Sequence, residues 1–157
     1  MTRQVHSGGC QCGAIRYKIA GELGYPHICH CRMCQKQFGS FFGAFVTADQ
    51  AHLTWTRGQP MLYRSSAKVK RGFCGKCGTP LTYQHPGGVE LAIGAFDHPE
   101  MFEPQIQVNH HQRLPWIDQL FEKPVYTSPE YEVFFASIES FQHPDHDTAQ
   151  WPPEDDQ

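Results

Sequence analysis

The sequence predicts a mainly β fold with short helices, and two observations carry that reading. Several short segments alternate apolar and polar residues with a period of two, and turn-forming glycines and prolines stand between them. The composition agrees. Hydrophobic residues make up 39% of the 157-residue chain and aromatics 13%, enough for one domain to bury a core of ordinary size.

In chain order, Ile15, Tyr17 and Ile19 share one face of a strand while Arg16 and Lys18 face the other way. Residues 42–47 form the next strand. Leu53 and Trp55 then alternate with Thr54 and Thr56, and Gly58-Gln59-Pro60 turns the chain. Residues 81–83 are followed by the turn Pro86-Gly87-Gly88, after which Val89, Leu91 and Ile93 alternate with Glu90 and Ala92. Ile106 and Val108 alternate with Gln107 and Asn109. Short connections of this kind make the sheets antiparallel. Asp97-His98-Pro99-Glu100 has capping-box spacing, which predicts one short helical turn. Ser128-Pro129 offers an N-cap and a proline at the first helical position, with Tyr131, Phe134, Phe135, Ile138 and Phe141 near helical spacing. Phe38, Phe41, Phe42 and Phe45 are assigned to the core, and Trp116 to packing over the β body. Residues 1–142 make up the domain. From 143 to 157 prolines and acids replace apolar residues, which predicts a flexible acidic tail.

Charge and hydropathy exclude some functions. The formal charge is −3 and the pI about 6.3, so the chain lacks the basic footprint of a nucleic-acid binder. No apolar run nears the roughly 18 residues of a membrane span. The opening Met-Thr-Arg-Gln-Val-His-Ser lacks the apolar core of a signal peptide, so a cytoplasmic location with reduced thiols is expected. The residues leave the oligomeric state open.

The seven cysteines are the strongest chemical signal. They fall in three clusters, Cys10 and Cys12; Cys29, Cys31 and Cys34; and Cys74 and Cys77. Thiols one to three residues apart reach one ion from a tight turn. Zinc takes four such ligands when structural, and three plus an exchangeable position when catalytic. Seven thiols divide into four and three. Gly8-Gly9-Cys10-Gln11-Cys12-Gly13 and Cys74-Gly75-Lys76-Cys77-Gly78 are a matched glycine-rich pair, suited to the closed site. The middle cluster carries Arg32 and Lys36, whose charge favours thiolates and anionic ligands. That makes Cys29, Cys31 and Cys34 the candidate open site. A zinc ribbon of Cys31-x-x-Cys34 with Cys74-x-x-Cys77 is the competing partition.

Around the open site, His30 is the candidate proton carrier, and Arg32, Gln35, Lys36 and Ser40 are candidate substrate-binding residues. Arg64, Lys68, Lys70 and Arg71 read as a solvated strand face. His110-His111 would point to opposite faces of a strand, so no metal pair is expected there.

GGCQCGAIRY, HICHCRMCQKQFGSFFGAFV and KRGFCGKCGTPLTY stand in an order and spacing that resemble one family. Trp55-Thr56-Arg57-Gly58, Tyr63-Arg64-Ser65-Ser66 and Gly94 to Glu100 extend the match over residues 5–125. The chain resembles the glutathione-dependent formaldehyde-activating enzyme family, whose domain also occurs in the centromere protein V group. The resemblance implies a fold of β-sheets around zinc, similar to the Mss4-like fold, with two zinc ions per chain. It implies a structural ion on Cys10, Cys12, Cys74 and Cys77, and a catalytic one on Cys29, Cys31 and Cys34. The implied activity is that of a carbon–sulfur lyase joining a small thiol to a carbonyl compound, as in formaldehyde plus glutathione giving S-hydroxymethylglutathione. The alternative is a zinc-stabilised binding or metal- and redox-sensing module without this catalysis.

Overall fold

A computed structural model of the protein describes residues 4–151. Three strands, β1 (Val5–Gly9), β2 (Arg16–Ala20) and β5 (Leu53–Arg57), form one antiparallel sheet in the order β1-β2-β5. The second sheet contains β3 (Pro26–Cys29), β4 (Gly43–Ala48), β6 (Met61–Arg64), β7 (Lys70–Phe73), β8 (Pro80–His85), β9 (Gly88–Ala92) and β10 (Ile106–Val108). Its order is β10-β3-β4-β9-β8-β7-β6. The fold is mainly β, as the alternation predicts. All pairings are antiparallel save β10 with β3. The chain leaves β9, passes through two 3-10 turns (Ile93–Ala95 and Pro99–Met101) and returns along the outer edge of β3 in the same direction.

Ile15, Tyr17 and Ile19 lie in the core with Val46, Leu81, Val89 and Leu91, all with at most 3% of their surface exposed. Burying each such side chain contributes about 1.5–3 kcal/mol. The opposite face of β2 is less exposed than its sequence predicts. Arg16 is buried because its guanidinium forks onto Asp97, with Nη1–Oδ1 and Nη2–Oδ2 both at 2.6 Å. This also corrects the capping box. The predicted turn forms at Pro99–Met101, but His98 occupies the N-cap with no side-chain bond. The Asp97 carboxylate serves Arg16 and the Ser7 hydroxyl instead.

The strands β1 and β3 and the helix α1 (Arg32–Phe38) are absent from the sequence-based reading, which has β6 and β7 only as the solvated strand face of Arg64, Lys68, Lys70 and Arg71. Glycines and charges break the alternation in β1 and β7. The edge strand β6 exposes all four residues, so no period marks it. Helix α1 has no Ser, Thr, Asp or Asn at its N-cap; the Cys31 sulfur does that work, accepting from the Cys34 N–H at 3.4 Å. Its visible marker is Gly39, which closes the helix in the left-handed region (φ 58°).

No residue between Phe102 and His143 is buried. Helix α2 (Pro129–Ala136) forms where predicted, with the Ser128 hydroxyl capping Tyr131 N–H at 3.1 Å, yet its aromatics pack on one another: Tyr131 and Phe135 rings lie 4.5 Å apart. Phe41 and Trp116 are exposed rather than core. Trp116 stands edge-on to Phe41 at 4.8 Å, and both are 39% exposed.

The expected loose tail needs correction where it is described. His143 is buried, and its N–H donates to the Gln11 carbonyl at 2.8 Å. Trp151 Nε1 donates to the Cys12 carbonyl at 3.1 Å, and Asp147 binds Arg16 at 3.0 Å and Lys18 at 2.8 Å. Residues 143–151 therefore form a strap over the first cysteine knuckle, held by polar contacts that composition alone does not reveal. Residues 152–157 of the expected tail lie outside the described residues. No described helix is long and apolar enough to cross a membrane.

Candidate metal centre

Cys10 and Cys12 lie in the β1–β2 turn, and Cys74 and Cys77 in the β7–β8 turn, so this group joins the two sheets. The four sulfurs lie within 4.8 Å of one another. Backbone N–H groups of Ile15 and Lys76 point at the Cys10 and Cys74 sulfurs, at 3.2 and 3.4 Å. Gly13 (φ 70°) and Gly78 (φ 80°) close the two knuckles in the left-handed region, where a side chain would be strained. The zinc-ribbon partition is excluded by this grouping: Cys31 and Cys34 gather with Cys29 instead.

Cys29 ends β3, Cys31 caps α1 and Cys34 sits in its first turn, so one strand–helix junction brings three sulfurs within 4.8 Å. Two side chains distant in sequence donate to them, one from β7 and one from the turn after β10. Asn109 Nδ2 lies 3.3 Å from Cys29 Sγ, and Arg71 Nη2 lies 3.5 Å from Cys34 Sγ. Arg71 is buried, its Nε on Ser65 Oγ (3.0 Å), its Nη1 on Gln37 Oε1 (2.8 Å) and its plane over the Tyr83 ring. The solvated-face reading is thus wrong for this residue. Its only sequence marker was the alternation with Lys70, which points out.

The donor sets fit a soft divalent cation. All seven thiols are free. In the trio the Cys34 thiol stabilises the Cys29 thiolate and lowers its pKa to about 5, while the same contact, with burial, pushes Cys34 far up. In the quartet, burial drives Cys10 up. Burial opposes ionisation of Cys77 as well, but the Thr79 hydroxyl and backbone outweigh it and draw that thiol down to about 6. Sulfurs this close cannot all ionise unaided, and an ion that takes each as thiolate removes the conflict. Either group could therefore hold zinc.

The trio opens onto a cleft of about 560 Å³ whose wall includes Tyr25, Met33, Phe45, Tyr83, Ile106 and Val108. His27 and Glu90 also line it, with Nε2 and Oε2 3.2 Å apart. The Glu90 carboxylate raises the His27 pKa by bonding its protonated form. Nothing local in the sequence marks this pair, which the β3–β4–β9 pairing brings together.

The other candidates lie off the cleft wall. Successive residues after β3 face opposite ways, so His30 turns from the cysteines into the interior, where Nε2 meets Gln107 Oε1 at 2.8 Å and Nδ1 has no partner among the described residues. Gln35 is buried and donates to the His30 carbonyl at 2.7 Å. Arg32 leans on Gln35 Oε1 at 3.2 Å, and Lys36 and Ser40 are exposed. None of the five contributes to the cleft wall. His110 and His111 sit in an exposed 3-10 turn outside both metal-capable groups.

The chain is 22% identical to a Rhodobacter sphaeroides protein of known crystal structure, with a TM-score of 0.53 over 65% of this chain and 99% of that one, a likeness of fold. It is 27% identical over 92 residues to a Halomonas elongata protein provisionally named a glutathione-dependent formaldehyde-activating enzyme. That match covers 54% of this chain and 59% of the relative. The family model described as glutathione-dependent formaldehyde-activating enzyme matches residues 5–112, which hold both cysteine groups, Arg71 and Asn109. By that match, the chain belongs to the glutathione-dependent formaldehyde-activating enzyme family.

Proposed function

We propose that the chain is a zinc-dependent enzyme of the carbon–sulfur lyase type, acting on small thiol–aldehyde adducts, with two zinc ions per chain. Cys10, Cys12, Cys74 and Cys77 are the structural ligands, and Cys29, Cys31 and Cys34 the catalytic ones. The reaction the family is named for joins glutathione and formaldehyde. The S–C bond forms as the thiol proton passes to the carbonyl oxygen, and the reverse releases both parts.

One observation carries this reading: the group facing the cleft has three sulfurs and the group between the sheets has four. Three protein ligands leave a position for a visitor, and four do not. Zinc bound there supplies Lewis acidity and lowers the pKa of a thiol. The remaining work falls to the protein. Asn109 and Arg71 draw charge from the Cys29 and Cys34 sulfurs, which offsets the strong donation of three thiolates. The apolar wall limits water around the reacting carbon. The reduced state that all seven thiols require fits a cytoplasmic site of action.

The test is exchange NMR of formaldehyde and glutathione, or another small thiol, with and without the zinc-loaded protein. Acceleration above the spontaneous rate, lost in Cys31→Ser along with one zinc equivalent, is expected. A protein that binds two zinc ions and accelerates exchange for no thiol would instead be a binding or redox-sensing module.

A further inference from the structure

We propose that the cleft selects a compact, apolar thiol or aldehyde and disfavours glutathione, an inference that rests on the open-trio reading and narrows its substrate class.

The mouth of the cleft leaves large apolar side chains in water. Tyr25 is 70% exposed, Met33 53% and Ile106 50%, and all three line the same opening. Exposed apolar surface gathered around a concave site is what an apolar ligand covers on binding. Deeper in, Phe45 is buried and Val108 half-buried, so the apolar lining continues inward. A phenyl or branched alkyl group fits such walls and gains by leaving water.

The charges in the wall point the same way. Glutathione carries two carboxylates and one ammonium group, and each must find a partner or stay hydrated. Arg71 is the arginine of the wall, and three of its five N–H donors are already engaged, Nε by Ser65, Nη1 by Gln37 and Nη2 by Cys34. His27 is engaged by Glu90 at 3.2 Å and by the Tyr25 carbonyl at 3.2 Å. Glu90 and His27 neutralise each other as a pair, and Arg71 faces the Cys34 sulfur, so a peptide carboxylate entering here finds no unpaired cation. Arg32 and Lys36, the cations of α1, stand on its exposed side and outside the wall.

Cobalt(II) replacing zinc gives visible bands that respond when a thiol joins the trio, so binding can be read without turnover. The full chain, cobalt-loaded, would be titrated with phenylmethanethiol and with glutathione, thiols of similar acidity. Phenylmethanethiol should half-saturate the band change at a concentration at least about tenfold lower. Glu90→Gln should narrow that gap by improving glutathione binding. Half-saturation by glutathione at an equal or lower concentration overturns the inference and leaves the open-trio reading standing. A gap unchanged in Glu90→Gln overturns the role given to Glu90. Bands insensitive to both thiols would overturn the open-trio reading, and the inference with it.

Discussion

Asn109 donates from Nδ2 to the Cys29 sulfur at 3.3 Å while its own backbone lies in the left-handed region, at φ 53° and ψ 38°. It is the one non-glycine with positive φ among the described residues. The parallel pairing of β10 with β3 sets Val108 opposite Cys29, so the next residue reaches the sulfur only by turning out of the strand. Asn tolerates that conformation better than most residues. Asn109→Gly should keep the backbone comfortable and remove the donor. Metal affinity of the trio should then fall about 10–100-fold, as for other groups that orient a ligand. Chelator competition measures it, and an unchanged affinity would make the contact incidental.

The two cysteine groups should respond differently to a single serine. Cys12→Ser removes a ligand that ties two sheets together, and a structural zinc site contributes about 10–16 kcal/mol, comparable with or above the total stability of a domain. Loss of cooperative unfolding is expected, read by circular dichroism. Cys31→Ser should retain the melting transition and lose one zinc equivalent by metal analysis.

Asp97 predicts an acid limb in stability. Burial alone would raise its pKa, but the Arg16 fork and the Ser7 hydroxyl outweigh that and hold it below the ordinary range. The unfolded value is about 3.9. With the folded value lower, the stabilisation is complete above about pH 4 and is lost as pH falls through the folded value. In Asp97→Asn, the amide oxygen could accept one of the two fork bonds, and Asp147 at 3.0 Å would be the remaining carboxylate on Arg16. A loss of about 3–5 kcal/mol at neutral pH is expected, with a flatter decline below about pH 4 than in the wild type. Urea midpoints at several pH values decide it; parallel slopes for both proteins would count against the assignment.

The strap should guard the quartet. A Cβ at Gly13 would strike the His143 and Trp151 rings, so this segment lies directly on the knuckle. Trp151→Ala removes the bond to the Cys12 carbonyl and the ring contact with His143. Stability should fall by about 1–3 kcal/mol, and one of the two zinc ions should reach a chelator faster. Release from the trio should stay as it was.

The sequence alone determined the class of fold, both groups of cysteines as candidates and the family, because these rest on local information. Period-two alternation marks a strand with one buried face, and thiols one to three residues apart are close whatever the rest of the chain does. Pairing Cys10 and Cys12 with Cys74 and Cys77 was legible only through their shared glycines, and the zinc ribbon remained open until the sheets were built. What tertiary structure decided was the identity of the groups around the trio. His30 is next to two ligands in sequence but faces away, since neighbours in an extended chain point in opposite directions. Arg71, His27 and Glu90 come from three strands and Asn109 from the turn just after a fourth, and no local pattern marks them as one group. Their meeting depends on sheet order and on one parallel pairing, which are settled by packing over the whole domain rather than by any segment of it.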